Sequence, residues 1–323
     1  MTAVDLKIRV STPDGRREVA SDQLPDVLAG LAGRERPITW IHTDLQPPVA
    51  QALDDMGLDE IAVKSLRDGP ERPRVEEFAD HLYISLFSVE TPADSTLPQL
   101  RELRLFLGPR WLISVGLVDD AEYEALADRV TRQVFSRDRG PSFIAYHICE
   151  WMVESMQPTL DRLNDRVDML EDQVVTAPGE VVVQELFGLK RDLVDLRRRV
   201  APLRDVLQRL GAHGVLYIEP EAEVYFRDVH DDVMRDIELL DTYRDILSSA
   251  LDLHLSSVSN RLNRVMKQLT VVATMFMPLS FIAGVFGTNF FGMPYKSTAW
   301  LVIMFVLMAI SITVMFVYTR RRA

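Results

Sequence analysis

The sequence predicts an α/β domain followed by helices alone, ending in a long amphipathic helix that runs into an apolar two-helix hairpin. Three observations carry this prediction. Short runs of alternating apolar and polar residues occur before residue 140, and the character after it is helical without strands. Apolar residues recur at steps of three or four from Val229 to Leu269. Two stretches near the end, Leu269 to Phe286 and Ala299 to Tyr318, hold 18 and 20 residues without one charge.

Residues 1–140 read as the α/β part. Leu6–Val10 alternates, Pro13-Asp14-Gly15 makes a turn, and Glu18-Val19 returns as a hairpin. Ile38–His42 predicts a short strand, with helices following at Pro48–Met56 and Asp59–Leu66. Further strands are expected at His81–Val89, Arg101–Leu107 and Trp111–Val115. Pro92–Pro98 separates the first pair and Gly108-Pro109 the second. Asp119 or Asp120 then caps a helix reaching about Ser136.

Residues 141–223 predict antiparallel helices over 142–175 and 180–210, broken at Ala177-Pro178-Gly179. Lys190-Arg191 and Arg197-Arg198-Arg199, with the acids around them, read as a solvated, salt-bridged face. No repeat of 20–50 residues is present. From about Val224 there is no Gly or Pro until Pro278. Over 224–268, Val229, Val233, Ile237, Leu240, Leu247, Leu251, Leu255, Val258, Leu262, Val265 and Leu269 form one stripe, interrupted by Arg244. A mean step of about 3.6 marks a straight helix with one apolar face. Continued through 269–286, it would reach roughly 95 Å. Such a helix must lay its stripe against the 142–210 helices, against copies of itself, or both. Asp231, Asp232, Asp236, Asp241 and Asp245 on the same helix read as a solvated face.

Stretches of 18–20 apolar residues match a hydrocarbon core of about 30 Å. The two spans, 269–286 and 299–318, are joined by a loop at 287–298 and followed by a basic tail at 319–323. Arg320-Arg321-Arg322 sets the tail on the cytoplasmic side. With two spans the long N-terminal part is expected there too, as a multi-pass protein of the cell membrane. The first 25 residues hold no apolar signal core. One cysteine, Cys149, excludes an intrachain disulfide framework. Residues 269–323 hold four basic groups and no acids, so residues 1–268 hold 32 basic and 48 acidic groups, a net of −16. Such a body repels nucleic acid and is compatible with cations or with a plainly solvated surface. No phosphate-binding Gly-x-x-x-x-Gly-Lys-Ser/Thr, His-Glu-x-x-His or Gly-x-Ser-x-Gly pattern occurs, so no enzyme and no organic cofactor is expected. The six histidines include none in a span and no pair at ligand spacing, so zinc chelation has no support.

The first span ends in Gly284-Val285-Phe286-Gly287-Thr288-Asn289-Phe290, followed by Gly292-Met293-Pro294. Gly and Asn tolerate left-handed backbone, so a helix can terminate here, and taken alone the pattern fits a tight hairpin. The wider stretch is more specific. Ser256-Ser257-Val258-Ser259-Asn260-Arg261-Leu262-Asn263-Arg264-Val265-Met266-Lys267-Gln268-Leu269-Thr270, then Met275-Phe276-Met277-Pro278-Leu279-Ser280-Phe281-Ile282-Ala283-Gly284, resembles the CorA family of magnesium channels. Phe226-Arg227-Asp228-Val229, Arg72-Pro73-Arg74-Val75 and, more weakly, Trp40-Ile41 with Asp44-Leu45 extend the resemblance over nearly the whole chain.

The resemblance implies an α/β cytosolic domain, a helical stalk continuing into the first span, and a homopentameric funnel in the lipid bilayer. It implies influx of magnesium, with cobalt or nickel as further cargo, driven by the membrane potential and gated by intracellular divalent cation. For a divalent ion, 100 mV is worth roughly 4.6 kcal/mol. The family signature is Gly-Met-Asn, and the zinc branch, ZntB, has Ile in the middle; Thr288 matches neither. The following loop carries no carboxylate. A zinc or transition-metal transporter of the same architecture therefore stays open. A membrane-anchored scaffold that transports nothing is the third class, although it needs neither Asn289 nor polar residues along the first span.

Residue roles also follow from the resemblance. Magnesium surrenders its waters reluctantly, so Gly287, Thr288 and Asn289 would form a ring that reads the hydrated ion through neutral acceptors. Asn263, Met266, Leu269 or Thr270, Ala273, Met277, Ser280 and Gly284 would line the pore, with Met266, Leu269 and Met277 as apolar constrictions. Asp228 matches a family position that helps bind regulatory magnesium between subunits, and Glu90 and Asp94 are the carboxylates available as its partners.

Overall fold

The structure is a computed structural model that describes residues 8–31, 37–44, 47–69, 72–90, 99–116, 118–176, 179–288 and 298–322. The chain divides into two compact units, Met1–Ser249 and Ala250–Ala323.

The first unit is built on seven strands: β1 (Ile8–Thr12), β2 (Gly15–Val19), β3 (Thr39–Thr43), β4 (Arg74–Glu77), β5 (Leu82–Glu90), β6 (Gln99–Leu107) and β7 (Trp111–Gly116). They lie in the order β2-β1-β3-β7-β6-β5-β4. The β3–β7 pair is parallel, with Ile41 opposite Ile113, and the other neighbours run antiparallel. Alternation divides the side chains between two faces. Ile8, Val10, Ile41, Tyr83, Phe106 and Ile113 join a core with α1 (Leu24–Ala29), α2 (Pro47–Asp55) and α3 (Glu60–Asp68). The opposite face packs on α5 (Pro141–Glu154) and, through β4 and β5, on α7 (Glu180–Leu210).

That second face carries a buried polar cluster. Trp40 Nε1 donates to Ser114 Oγ at 2.9 Å, and His42 Nδ1 lies 2.9 Å from the same oxygen. The His42 ring stacks on Tyr123, over which the guanidinium of Arg9 also sits at 4.5 Å. Burial first, and Arg9 second, hold His42 down to about 3, so the imidazole stays neutral.

Several expected elements are observed within a residue or two, and four differ. Helix α4 (Asp120–Gln133) begins in a capping box of Asp119 and Glu122. Strand β4 and helix α1 were not expected, because Arg-Val-Glu-Glu shows no apolar run and Leu24–Ala29 is barely more than one turn. The helix expected over 142–175 is two helices, α5 and α6 (Gln157–Thr176). Pro158 is the cause, since it has no N–H for the carbonyl four residues earlier and its ring crowds that carbonyl. The long helix α8 (Pro220–Gly287) starts four residues ahead of the expected Val224, because proline fits a first helical position whose N–H is unpaired in any case.

The apolar stripe of α8 has two fates. Phe226, Val229, Val233, Ile237, Leu240, Tyr243, Leu247 and Ala250 are buried, with Tyr243 supplying the apolar contact where Arg244 interrupts the row. Beyond them, Leu255 is 59% exposed, Leu262 60% and Leu269 61%. In the second unit, α8 pairs with α9 (Thr298–Arg322). Both contain a stretch long and apolar enough to cross a membrane, with mean hydropathy of 2.0 and 2.7 over 18 residues. Over 269–287, Val271, Thr274, Met275, Pro278, Leu279, Ile282 and Phe286 are the partly covered residues of α8, and Met304, Met308, Ser311 and Met315 are those described in α9. Phe286 and Trp300 close the described hairpin with ring centroids 5.9 Å apart. Pro278 withholds an N–H from the Thr274 carbonyl.

Candidate functional site

The residues expected to line a pore share one property in the second unit. Asn263, Met266, Leu269, Thr270, Ala273, Met277, Ser280 and Gly284 are all exposed within the single chain. At about 100° per residue Met266, Leu269, Ala273, Met277, Ser280 and Gly284 point roughly opposite to the residues that α9 covers, and Asn263 and Thr270 point to one side. Met277 is the most open, at 74%. Leu269, Thr270, Ala273 and Met277 also border a groove of about 360 Å³ closed on its far side by Met315.

Polarity along this face is sparse. Asn263 and Ser280 have no hydrogen-bond partner among the described residues. Thr270 donates its hydroxyl proton to the Met266 carbonyl at 2.8 Å. Its oxygen therefore faces outward as an acceptor, which suits the donor hydrogens of water bound to a cation.

The helix end departs from expectation. Gly287 is the last residue of α8 and does not have positive φ, so no left-handed glycine closes the helix there. Thr288 provides the termination instead, its hydroxyl donating to the Val285 carbonyl at 2.7 Å. A Cβ placed on Gly284 or Gly287 would meet nothing within 4 Å. Glycine inside a helix costs roughly 0.5–1 kcal/mol relative to alanine, and no contact within the chain offsets it. Asn289 lies outside the described residues.

Asp228 is exposed on α8, close enough to Tyr146 to help raise that phenol, after burial and Glu150. Glu90 is the last residue of β5, opposite Gln99, and its side chain and all of Asp94 lie outside the described residues. Among the described residues no group of three or more His, Cys, Asp or Glu could hold a metal ion.

The acid that does lie near the end of β5 is Asp236, read from sequence as solvated. It is 3% exposed and borders a small cavity with Val89, Thr159 and Leu240. Oδ1 accepts from Gln157 Nε2 at 2.9 Å, whereas Oδ2 has no partner. Burial raises its pKa, and the Gln157 bond works against that. Its spacing from Val233 and Leu240 placed it on the stripe and was the available signal.

The chain is similar to known proteins over most of its length. The chain is 33% identical over 291 residues to the cobalt/magnesium transport protein CorA of Thermotoga maritima, covering 88% of this chain and 81% of that one. It is 23% identical over 291 residues to the zinc transport protein ZntB of Pectobacterium carotovorum, covering 88% and 82%. The complete structure of the CorA magnesium transporter from Methanocaldococcus jannaschii superposes with a TM-score of 0.78 at 22% identity, covering 100% of this chain and 99% of that one. The pattern of the CorA-like Mg2+ transporter proteins matches residues 35–321, and with the α/β unit, the long helix and the apolar hairpin in place, the chain belongs to that family of divalent-cation transporters.

Proposed function

We propose that the chain forms a homopentameric, passive channel for a hydrated divalent cation, with magnesium as the principal cargo. In this reading 1–223 is cytosolic, 224–268 is the stalk, 269–286 lines the pore, 299–318 faces lipid, and both termini are cytoplasmic. The observation that carries it is the division of α8 over 271–286: one face partly covered by α9, the opposite face open and holding Ala273, Met277, Ser280 and Gly284, while Asn263 and Thr270 lie in the preceding stretch, 255–270, where every residue is exposed. Five such faces around an axis would bury Met266, Leu269 and Met277 as constrictions. They would also explain Gly284 and Gly287, whose empty surroundings in one chain leave room for neighbours. A ring of Asn289 would read the ion's waters at the mouth.

Magnesium is favoured over zinc by chemistry as well as likeness. Zinc prefers His and Cys, and the described spans contain neither. The test is uptake into liposomes of magnesium, cobalt and zinc by the wild type and Asn289→Ala. We expect magnesium uptake in the wild type and loss of it in the variant, with assembly retained. Normal magnesium uptake by Asn289→Ala would remove the ring from the mechanism, and zinc uptake without magnesium uptake would move the cargo to the ZntB side.

Regulation follows the same reading. In this reading Asp228 of one chain and Glu90 and Asp94 of a second copy are the candidate carboxylates for a regulatory ion. With a net of −16 over residues 1–268, a bridging divalent ion relieves repulsion between copies and binds the closed ring more tightly than the open one. Magnesium should slow proteolysis of the stalk in the wild type and slow it less in the Asp228→Ala, Glu90→Ala, Asp94→Ala triple variant. Equal protection would exclude these acids.

A further inference from the structure

We propose that a cleft in the first unit binds a small phosphate-bearing anion, of the size and shape of a mononucleotide. The cleft, about 360 Å³, lies between the end of α4, helix α5 and the start of α8. Its volume falls at the lower end of small-molecule sites, about 300–1,000 Å³.

Three arginines line it, and they differ in how they are compensated. Arg129 is neutralised by Glu150 at 3.0 Å and Glu154 at 3.2 Å. Arg137 and Arg139 have no carboxylate partner among the described residues, in a part of the chain where acids outnumber bases 48 to 32. Arg139 is moreover held in place, its guanidinium 4.5 Å over Phe143 and 5.5 Å over Tyr225. A guanidinium stacked on rings keeps its in-plane N–H groups free for an anion and loses little entropy on binding it. Arg137 is exposed at the mouth of the same cleft.

The floor supplies an independent mark of a ligand. His147 is 4% exposed, bonds Glu150 through Nδ1 at 3.0 Å, and has no partner at Nε2. A buried ring nitrogen left unpaired costs roughly 1–3 kcal/mol; with Nδ1 donating to the Glu150 carboxylate, Nε2 of the neutral ring is an acceptor, which a ligand hydroxyl (a ribose O–H or a protonated phosphate P–OH) would complete. Two guanidiniums suit the paired oxygens of a phosphate monoester. Tyr225, packed with Arg139, Phe143 and Tyr146 and 36% exposed, adds an aromatic surface at the rim of the cleft against which a base could lie. Asp228, near Tyr146, is the one acid noted beside the cleft that Arg129 does not engage. The ligand's charge is therefore expected against Arg137 and Arg139, away from α8.

A free nucleotide and a lipid phosphate share this chemistry, so the probes separate them. Full-length protein in mild detergent, in chelator and low chloride, is titrated calorimetrically with AMP, inorganic phosphate, adenosine and a short-chain phosphatidic acid. We expect AMP to bind once per chain, phosphate more weakly, and adenosine more weakly still. Arg137→Gln and Arg139→Gln should each weaken AMP about tenfold, the effect of one charge-assisted hydrogen bond. Arg137 touches no partner, so its variant must keep the wild-type melting temperature without ligand. Saturable binding of phosphatidic acid alone, weakened by both variants, would support the phosphate site and assign it to a lipid headgroup. Absence of saturable binding by every phosphate probe, or binding unchanged in both variants, would overturn the proposal.

Discussion

Leu240 and Leu262 lie on the same stripe of the same helix, yet truncating them should damage different things. Leu240 is 1% exposed and Leu262 60%. Leu262→Ala removes three carbons, each worth about 0.8 kcal/mol when fully buried. Scaled by the 60% that one chain leaves open, the loss on assembly is about 1.4 kcal/mol per chain and about 7 kcal/mol over five copies. That weakens pentamer formation by about five orders of magnitude, so the concentration at half-assembly rises roughly 10- to 20-fold. Alanine is the best helix former, so the chain itself should not suffer. Leu240→Ala should instead cost the first unit about 2–5 kcal/mol of folding stability and leave the assembly of folded chains unchanged. Mass photometry of a dilution series in mild detergent, beside thermal melting of both variants, separates the two effects. If Leu262→Ala resists dilution as the wild type does, the exposed half of the stripe is not a self-association surface and the reasoning fails.

Two further outcomes test the first unit. The folded pKa of Asp236 is raised above its unfolded value, so its proton-bound form stabilises the fold and ionisation is costly above the folded pKa. Asp236→Asn should raise the melting temperature at pH 8 by about 2–4 °C, for roughly 1 kcal/mol in a unit of this size. The gain should fade as pH drops through the raised pKa to the ordinary carboxylate range, and a gain independent of pH would contradict the assignment. Gly140→Ala would drive a Cβ into Glu219 Oε1, whose carboxylate accepts from the Ser142 N–H at the start of α5. The expected cost is about 1–3 kcal/mol, read as a lower melting temperature. An unshifted melting curve would show that Glu219 has room to move.

Local pattern in the sequence determined much of this protein. The charge-free stretches specified two helices of membrane-crossing length, because spanning requires apolar side chains over a fixed distance. The sequence marked His81–Val89, Arg101–Leu107 and Trp111–Val115 as strands, each within two residues of β5, β6 and β7, and an Asp119 or Asp120 cap marked the start of α4. Each of these signals sits within a few residues of the structure it causes. Asp236 and Gly140 were not legible in that way. Asp236 looked like its solvated neighbours because only the approach of Gln157 and the end of β5 buries it, and nothing local to Gly140 shows that Glu219, distant in the chain, lies against it. Strand β4 exists because β5 offers its backbone and α7 covers it, not because Arg-Val-Glu-Glu favours extension. The stripe of α8 is the clearest division of the two kinds of information. Its period of about 3.6 was written in the residues, whereas its burial up to Ala250 and exposure from Leu255 to Leu269 depend on which other helices reach it. Periodicity is a property of one helix, and burial is a property of its neighbours, so only the tertiary structure could say where the chain stops covering itself.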